Sequence, residues 1–202
     1  MTTESASVDT DLLRSEVRRH YAEVATNPDH DFHFHTGRAA ALQVGYDAAL
    51  IEGLPDDLMA SFAGVANPFH FGLPRPGETV LDIGSGAGVD AIIAAKAVGP
   101  EGRVIGIDMT PEMLELARRN AATVRATNVD FREGLMERLP VDAGSIDLVI
   151  SNGVLNLTID KYRAYQQVFR ALRPGGRIQI ADVCVDRPVP EKAKRDIDPW
   201  TG

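Results

Sequence analysis

The sequence predicts an α/β protein: a doubly wound, mostly parallel sheet behind a helical N-terminal lead-in. Three observations carry that expectation. After Gly77, short β-branched runs alternate with helical stretches, the order expected of parallel strands, which need crossovers between them. A glycine-rich turn, Gly84-Ser-Gly-Ala-Gly88, joins the first of these runs to an apolar helix. Before Gly77, apolar residues recur at helical spacing, and the breakers Asn67-Pro68 and Pro74-Arg-Pro-Gly77 close that region.

Residues 1–10 read as a frayed end. From Asp11 to Ala25, the spacing of Leu12, Leu13, Val17, Tyr21 and Val24 predicts a helix. The cluster Asn27-Pro-Asp-His-Asp31 reads as a turn, and a second helix is expected near Arg38–Leu50. Leu54-Pro55-Asp56-Asp57 opens another short helix, with Pro55 near its first position. The expected strands are Thr79–Ile83, Arg103–Asp108, Val129–Glu133, Ile146–Ser151 and Arg177–Val183. Helices are expected at Val89–Val98, Pro111–Val124 and Lys161–Leu172. Thr110 is the expected cap of the helix that Pro111 and Glu112 begin, and Leu172-Arg-Pro-Gly-Gly176 ends the last helix. The organisation is therefore a lead-in over 1–76, a core over 77–190 and a tail over 191–202.

Composition narrows the function. The 202 residues are 44% hydrophobic with a mean hydropathy of -0.12, which suits one medium domain with a real core. No apolar run approaches the roughly 20 residues that span a bilayer, and the polar N-terminus does not resemble a signal peptide. A single cysteine, Cys184, excludes an intrachain disulfide and fits a reducing compartment, so a cytoplasmic protein is expected. A net charge of -8 repels phosphate backbones, and the pairs Arg18-Arg19 and Arg118-Arg119 fall in helical patterns as solvated faces. These features point to a small-molecule substrate, with no nucleic-acid or membrane partner.

A doubly wound sheet binds its ligand at the carboxyl ends of its strands. There the glycine turn offers bare backbone and a helix N-terminus, a cradle for a nucleotide-type ligand. Asp108 ends the next strand about 20 residues further on, where an acid accepts hydrogen bonds from ribose hydroxyls. Met109 lies either against an adenine face or in the core. Gly134–Pro140 offers backbone N–H groups to an adenine edge, and Ser151–Leu157 is placed to hold the other end of a cofactor. NAD, FAD and S-adenosylmethionine proteins share such turns. The spacing here departs from G-x-G-x-x-G and no Tyr-x-x-x-Lys pair follows, which disfavours an NAD-dependent oxidoreductase. Three histidines are candidate general bases at a substrate mouth: His33 and His35, which share one side if extended, and His70 between Phe69 and Phe71. Their alternative is a packed aromatic loop with hydrogen-bonded imidazoles. Two alternating histidines are fewer than a zinc site needs, so no metal is expected.

Val80-Leu-Asp-Ile-Gly-Ser-Gly-Ala-Gly88, Val104-Ile-Gly-Ile-Asp-Met-Thr-Pro-Glu-Met-Leu114 and Leu172-Arg-Pro-Gly-Gly-Arg177 resemble the successive motifs of class I S-adenosylmethionine-dependent methyltransferases. Their fold is Rossmann-like. The closer resemblance is to arsenite methyltransferases, through Val17-Arg-Arg-His-Tyr21, Gly64-Val-Ala-Asn-Pro68, Ile150-Ser-Asn-Gly-Val154 and Asn156-Leu157. The resemblance implies that Asp82, Gly84, Ser85 and Gly86 contact the methionine part of S-adenosylmethionine and Asp108 its ribose. It implies too that Met109, Leu135 and Met136 enclose adenine, that Asn152 meets the amino group through its backbone, and that Tyr21 closes over the cofactor. Leu135 stands where many methyltransferases carry an acid.

Two departures qualify the resemblance. Arsenite methyltransferases hold trivalent arsenic with cysteines just before the Asn-Pro pair and just after Ser-Asn, because a soft metalloid prefers sulfur. Here those positions are Val65 and Gly153, and Cys184 matches neither. Class I methyltransferases also add a sixth and a seventh strand, for which Lys192–Gly202 is too short, so the sheet is expected to lack its last two strands. Either the chain is a truncation, or the open edge is covered by the N-terminal segment or by a partner chain, as in a homodimer. The expected function is methyl transfer from S-adenosylmethionine to a small-molecule acceptor other than arsenite, with a non-catalytic S-adenosylmethionine-binding protein as the alternative.

Overall fold

A computed structural model describes residues 10–27 and 36–184. The lead-in begins with α1 (Thr10–Thr26), whose Leu13, Val17, Val24 and Ala25 are buried. The expected second helix is two pieces, α2 (Gly37–Gln43) and α3 (Ala48–Ile51). Gly45 separates them in a left-handed conformation (φ 91), which favours glycine, and Asp47 then caps α3 by accepting from the Ala49 N–H at 2.9 Å. Tyr46, between the two, is carried into the interior. In α4 (Asp56–Ala60), Pro55 takes the cap position, one residue earlier than the sequence suggests.

The sheet has strands β1 (Thr79–Ile83), β2 (Arg103–Asp108), β3 (Val129–Glu133), β4 (Ile146–Asn152) and β5 (Leu172–Ala181). Its order is β3-β2-β1-β4-β5, with every neighbouring pair parallel. The crossovers are α5 (Val89–Val98), α6 (Pro111–Thr123) and α7 (Lys161–Ala171). Both faces are buried. Val80, Val104, Leu148 and Ile150 pack with α2, α4, α5 and α6, while Leu81, Ile83, Ile107 and Val149 pack with Ala164 and Val168 of α7. Chain order reverses between β1 and β4, which leaves a crevice at their carboxyl ends.

Two local expectations are corrected. The Thr110 hydroxyl does not cap α6; instead Asp108 Oδ1 accepts from the Thr110 N–H at 2.8 Å, so the strand-end acid steadies the helix entry. Strand β5 starts at Leu172 rather than Arg177. Leu172 pairs with Ile146, residues 173–176 loop out with Gly175 at φ 81, and Arg177 resumes the ladder opposite Leu148. The Pro-Gly-Gly segment that reads as a helix-ending turn is a bulge inside a strand. Strand β5 ends at Ala181 because the next carboxylate, Asp182, turns to accept from the Leu155 and Asn156 N–H groups at 2.7 and 3.2 Å. No described strand pairs with the outer side of β5, beside which Phe169 and Ile178 remain exposed.

Candidate functional site

At the carboxyl ends of β1, β2 and β4 lies an open cavity of about 140 Å³, with α1 across it. The loop after β1 forms its floor. Gly84, Gly86 and Gly88 all take positive φ (72, 50 and 88). The Gly84 and Ser85 N–H groups both donate to the Ile107 carbonyl, at 2.7 and 2.9 Å. A Cβ on Gly84 would collide with Val154 Cγ2, so this glycine is required by packing as well as by conformation. A Cβ on Gly86 would meet nothing within 4 Å. Open space lies above that backbone, as a cradle for a ligand requires.

Asp108 reaches back to this loop. Its Oδ2 accepts from the Gly86 N–H at 2.9 Å while Oδ1 holds Thr110, so each oxygen retains acceptor capacity for a further donor. Burial raises its pKa above the usual carboxylate value, against the lowering effect of those backbone bonds. Asp82 is buried at 2% exposure, and its Oδ2 has no hydrogen-bond partner; neither has the buried Ser85 Oγ. Buried polar atoms left without partners are costly, and these two border a cavity where a ligand can satisfy them. Burial, then the charges of Asp90 and Asp108, push Asp82 well above the carboxylate range.

Every residue that the sequence assigns to the cofactor lines this cavity. Asp82, Gly84, Ser85 and Gly86 come from β1 and its loop, and Asp108 and Met109 from the end of β2. Leu135 and Met136 come from the loop after β3, Asn152 from the end of β4 and Tyr21 from α1. Met136 also belongs to the core beneath, so it is both wall and packing. The Tyr21 phenol is pushed up to about 12 by burial and by the charges of Asp108 and Asp182, and it stays neutral. The side-chain amide of Asn152 is engaged within the protein, with bonds to Val65, Ala66, Tyr46 and Asp90.

The histidine expectation is corrected for His70, which is exposed, lies edge-on to Phe71 and is not part of the cavity wall. Alternation with phenylalanines does not bring this imidazole inward, because Phe69 takes the buried position. His33 and His35 lie outside the described residues.

Two groups escaped the sequence reading: Asp90, in the first turn of α5, and Tyr46. Asp90 is buried and lines the cavity; its Oδ1 accepts from the Tyr46 hydroxyl at 2.5 Å and its Oδ2 from Asn152 Nδ2 at 3.2 Å. Burial raises Asp90 to about 6 against the lowering effect of these two bonds. The available signal was one acid two residues past the last glycine in an otherwise apolar helix start.

The methyltransferase domain family matches residues 74–200. An arsenite methyltransferase from Halobacterium salinarum is 46% identical over 167 residues, covering 83% of this chain and 42% of that protein. A demethylmenaquinone methyltransferase from Lactococcus lactis is 34% identical over 114 residues, covering 56% of this chain and 44% of the other. The chain thus spans less than half the length of these relatives. Among solved structures, an arsenic(III) S-adenosylmethionine methyltransferase from Chlamydomonas reinhardtii superposes with a TM-score of 0.65 at 40% identity, over 72% of this chain and 51% of that one. No helix of the described residues is long and apolar enough to cross a membrane. With its parallel sheet, glycine loop and strand-end acid, the chain belongs to the methyltransferase domain family and has the fold of the class I S-adenosylmethionine-dependent enzymes.

Proposed function

We propose that this chain binds S-adenosylmethionine and directs its methyl group to a small-molecule acceptor other than free arsenite, in the cytoplasm. The observation that carries this reading is the Asp108 carboxylate, tied by Gly86 and Thr110 beside the unpartnered Asp82 Oδ2 and Ser85 Oγ. These groups fit the cofactor: Asp108 would hold its ribose, Asp82 and Ser85 its amino-acid end, and Met109, Leu135 and Met136 its adenine. When bound, S-adenosylmethionine supplies a methyl group already activated on a cationic sulfonium. The residues therefore need to align the reactants and exclude water, with Tyr21 and the rest of α1 closing the cavity. An oxygen or nitrogen acceptor would draw on His33 or His35 as base, whereas a thiolate needs none. The net charge of -8 supports a small acceptor over a nucleic acid.

Val65 and Gly153 support the exclusion of arsenite. A Cβ built on Gly153 would stand 3.0 Å from Val65 Cγ1, so the positions that carry cysteines in the resembled family meet here without sulfur. Trivalent arsenic prefers thiolate ligands. Titration calorimetry with S-adenosylmethionine, S-adenosylhomocysteine and NAD tests the cofactor, and transfer of a labelled methyl group to a panel including arsenite tests the acceptor. Binding of both adenosyl compounds with no methylated arsenic is expected. Binding of NAD alone would overturn the reading, methylation of arsenite would overturn the exclusion, and cofactor binding without transfer to any acceptor would favour a non-catalytic binding protein.

The carboxylates make binding depend on pH. A cation in the cavity favours ionised Asp90, so below about pH 6 binding has to displace a proton and affinity falls. Calorimetry is expected to find S-adenosylmethionine affinity rising about tenfold between roughly pH 5 and 7. S-adenosylhomocysteine, which lacks the sulfonium charge, is expected to show a shallower rise. A flat profile for both would contradict a role for Asp90 beside the cofactor.

A further inference from the structure

Asn152, the last residue of β4 and part of the cavity wall, joins two separate parts of the chain through one side chain. Its Oδ1 accepts from the Val65 N–H at 2.9 Å and the Ala66 N–H at 3.3 Å. Its Nδ2 lies 2.8 Å from the Ala66 carbonyl, 3.0 Å from the Tyr46 hydroxyl and 3.2 Å from Asp90 Oδ2. The fit is close: a Cβ on Gly64 would collide with Asn152 Nδ2. Residues 64–66 thus hang on a primary amide, the group that offers donors and an acceptor together. Gly64 and Gly153, on either side of this contact, line the cavity, while the Asp90 carboxylate faces the same space as Asp82.

We propose that Asn152 is a positioning residue that couples occupancy of the cofactor half of the cavity to the order of residues 64–66, the segment that enters the cavity wall at Gly64 and beside which the acceptor is held. The proposal rests on the S-adenosylmethionine reading above. The physical link is Asp90. As a carboxylate it accepts from both Tyr46 and Asn152; protonated, it gives up acceptor capacity on one oxygen. A bound cation holds it ionised and keeps both bonds. The titratable groups around Asp90 are Asp82 from β1, Tyr46 from the α2–α3 connection and, beyond Asp82, Asp108 from β2. Residues 64–66, which reach the cavity at Gly64, are therefore ordered once the cofactor is in place.

Hydrogen exchange of the Val65 and Ala66 amides, corrected for intrinsic rates, tests this in the wild type, Asn152→Ala and Asn152→Asp, with and without S-adenosylmethionine as probe. In the wild type near pH 5, where Asp90 is otherwise protonated, the probe is expected to raise protection of both amides about tenfold. Asn152→Ala is expected to lower their protection about tenfold and abolish the response. Asn152→Asp keeps an oxygen for the two N–H groups but sets a second carboxylate against Asp90. Its protection is expected to be lost near pH 7.5 and regained near pH 5, where the pair shares a proton. A side chain that merely filled space would show no such reversal. Unchanged protection in Asn152→Ala, or no pH reversal in Asn152→Asp, would overturn the proposal. Should Asn152→Ala not fold, the Asn152→Asp comparison decides alone. Failure of the wild type to bind the probe counts against the cofactor reading, and the pH reversal still tests the bracket separately.

Discussion

Replacing Asp108 with alanine is expected to weaken S-adenosylmethionine binding by about a hundredfold or more, with the fold intact. A hydrogen bond to a charged group contributes about 1.5–3 kcal/mol, and a ribose offers two hydroxyls to this carboxylate. The substitution also removes the acceptor for the Gly86 and Thr110 N–H groups, so the loop loses one of its ties to β2 and keeps those of Gly84 and Ser85 to Ile107. The milder change Asp108→Asn leaves one oxygen and introduces one NH2 group, which opposes one of those two N–H donors; an intermediate loss is expected. Titration calorimetry reads the affinity, and thermal unfolding of the ligand-free variants confirms that they fold. An Asp108→Ala affinity within about threefold of the wild type would remove Asp108 from the site.

The two glycines of the loop are expected to separate stability from binding. Gly84→Ala drives a methyl group into Val154 Cγ2 at φ 72, combining overpacking with a left-handed backbone. Together these cost about 3 kcal/mol of stability. Gly86→Ala, at φ 50, bears the backbone cost of about 1 kcal/mol but clashes with nothing. Its methyl group stands in the open space of the cradle, so cofactor affinity is expected to drop about tenfold or more, with only a small shift in the urea midpoint. Equal destabilisation of the two variants, or undiminished binding by Gly86→Ala, would contradict the geometry of the loop.

Strands β1, β2 and β3 and helix α5 begin and end where the sequence places them, because β-branched runs and flanking glycines are local signals. The start of β5 was not legible: Arg173-Pro-Gly-Gly176 carries the composition of a turn, and only pairing with β4 makes it a bulge within a strand. Likewise Gly45, within a helical pattern, does not announce that it divides α2 from α3. In the site, the glycine loop and Asp108 were readable as cavity residues because a glycine turn after one strand and an acid ending the next are local signals along the chain. The Asp90–Tyr46–Asn152 cluster was not, since its members are 44, 62 and 106 positions apart and meet only through the fold. An aspartate, a tyrosine and an asparagine so far apart carry no pattern until the chain is packed.

The paired hydrogen bonds that the Gly84 and Ser85 N–H groups donate to the Ile107 carbonyl set how the cofactor floor responds kinetically. That carbonyl immediately precedes Asp108, so the loop and the strand-end acid are parts of one rigid body before any ligand arrives. Little ordering is left for the encounter itself, and association is not slowed by loop closure. Differences in affinity among variants of this floor are then expressed as residence time, through the rate at which the adenosyl group leaves.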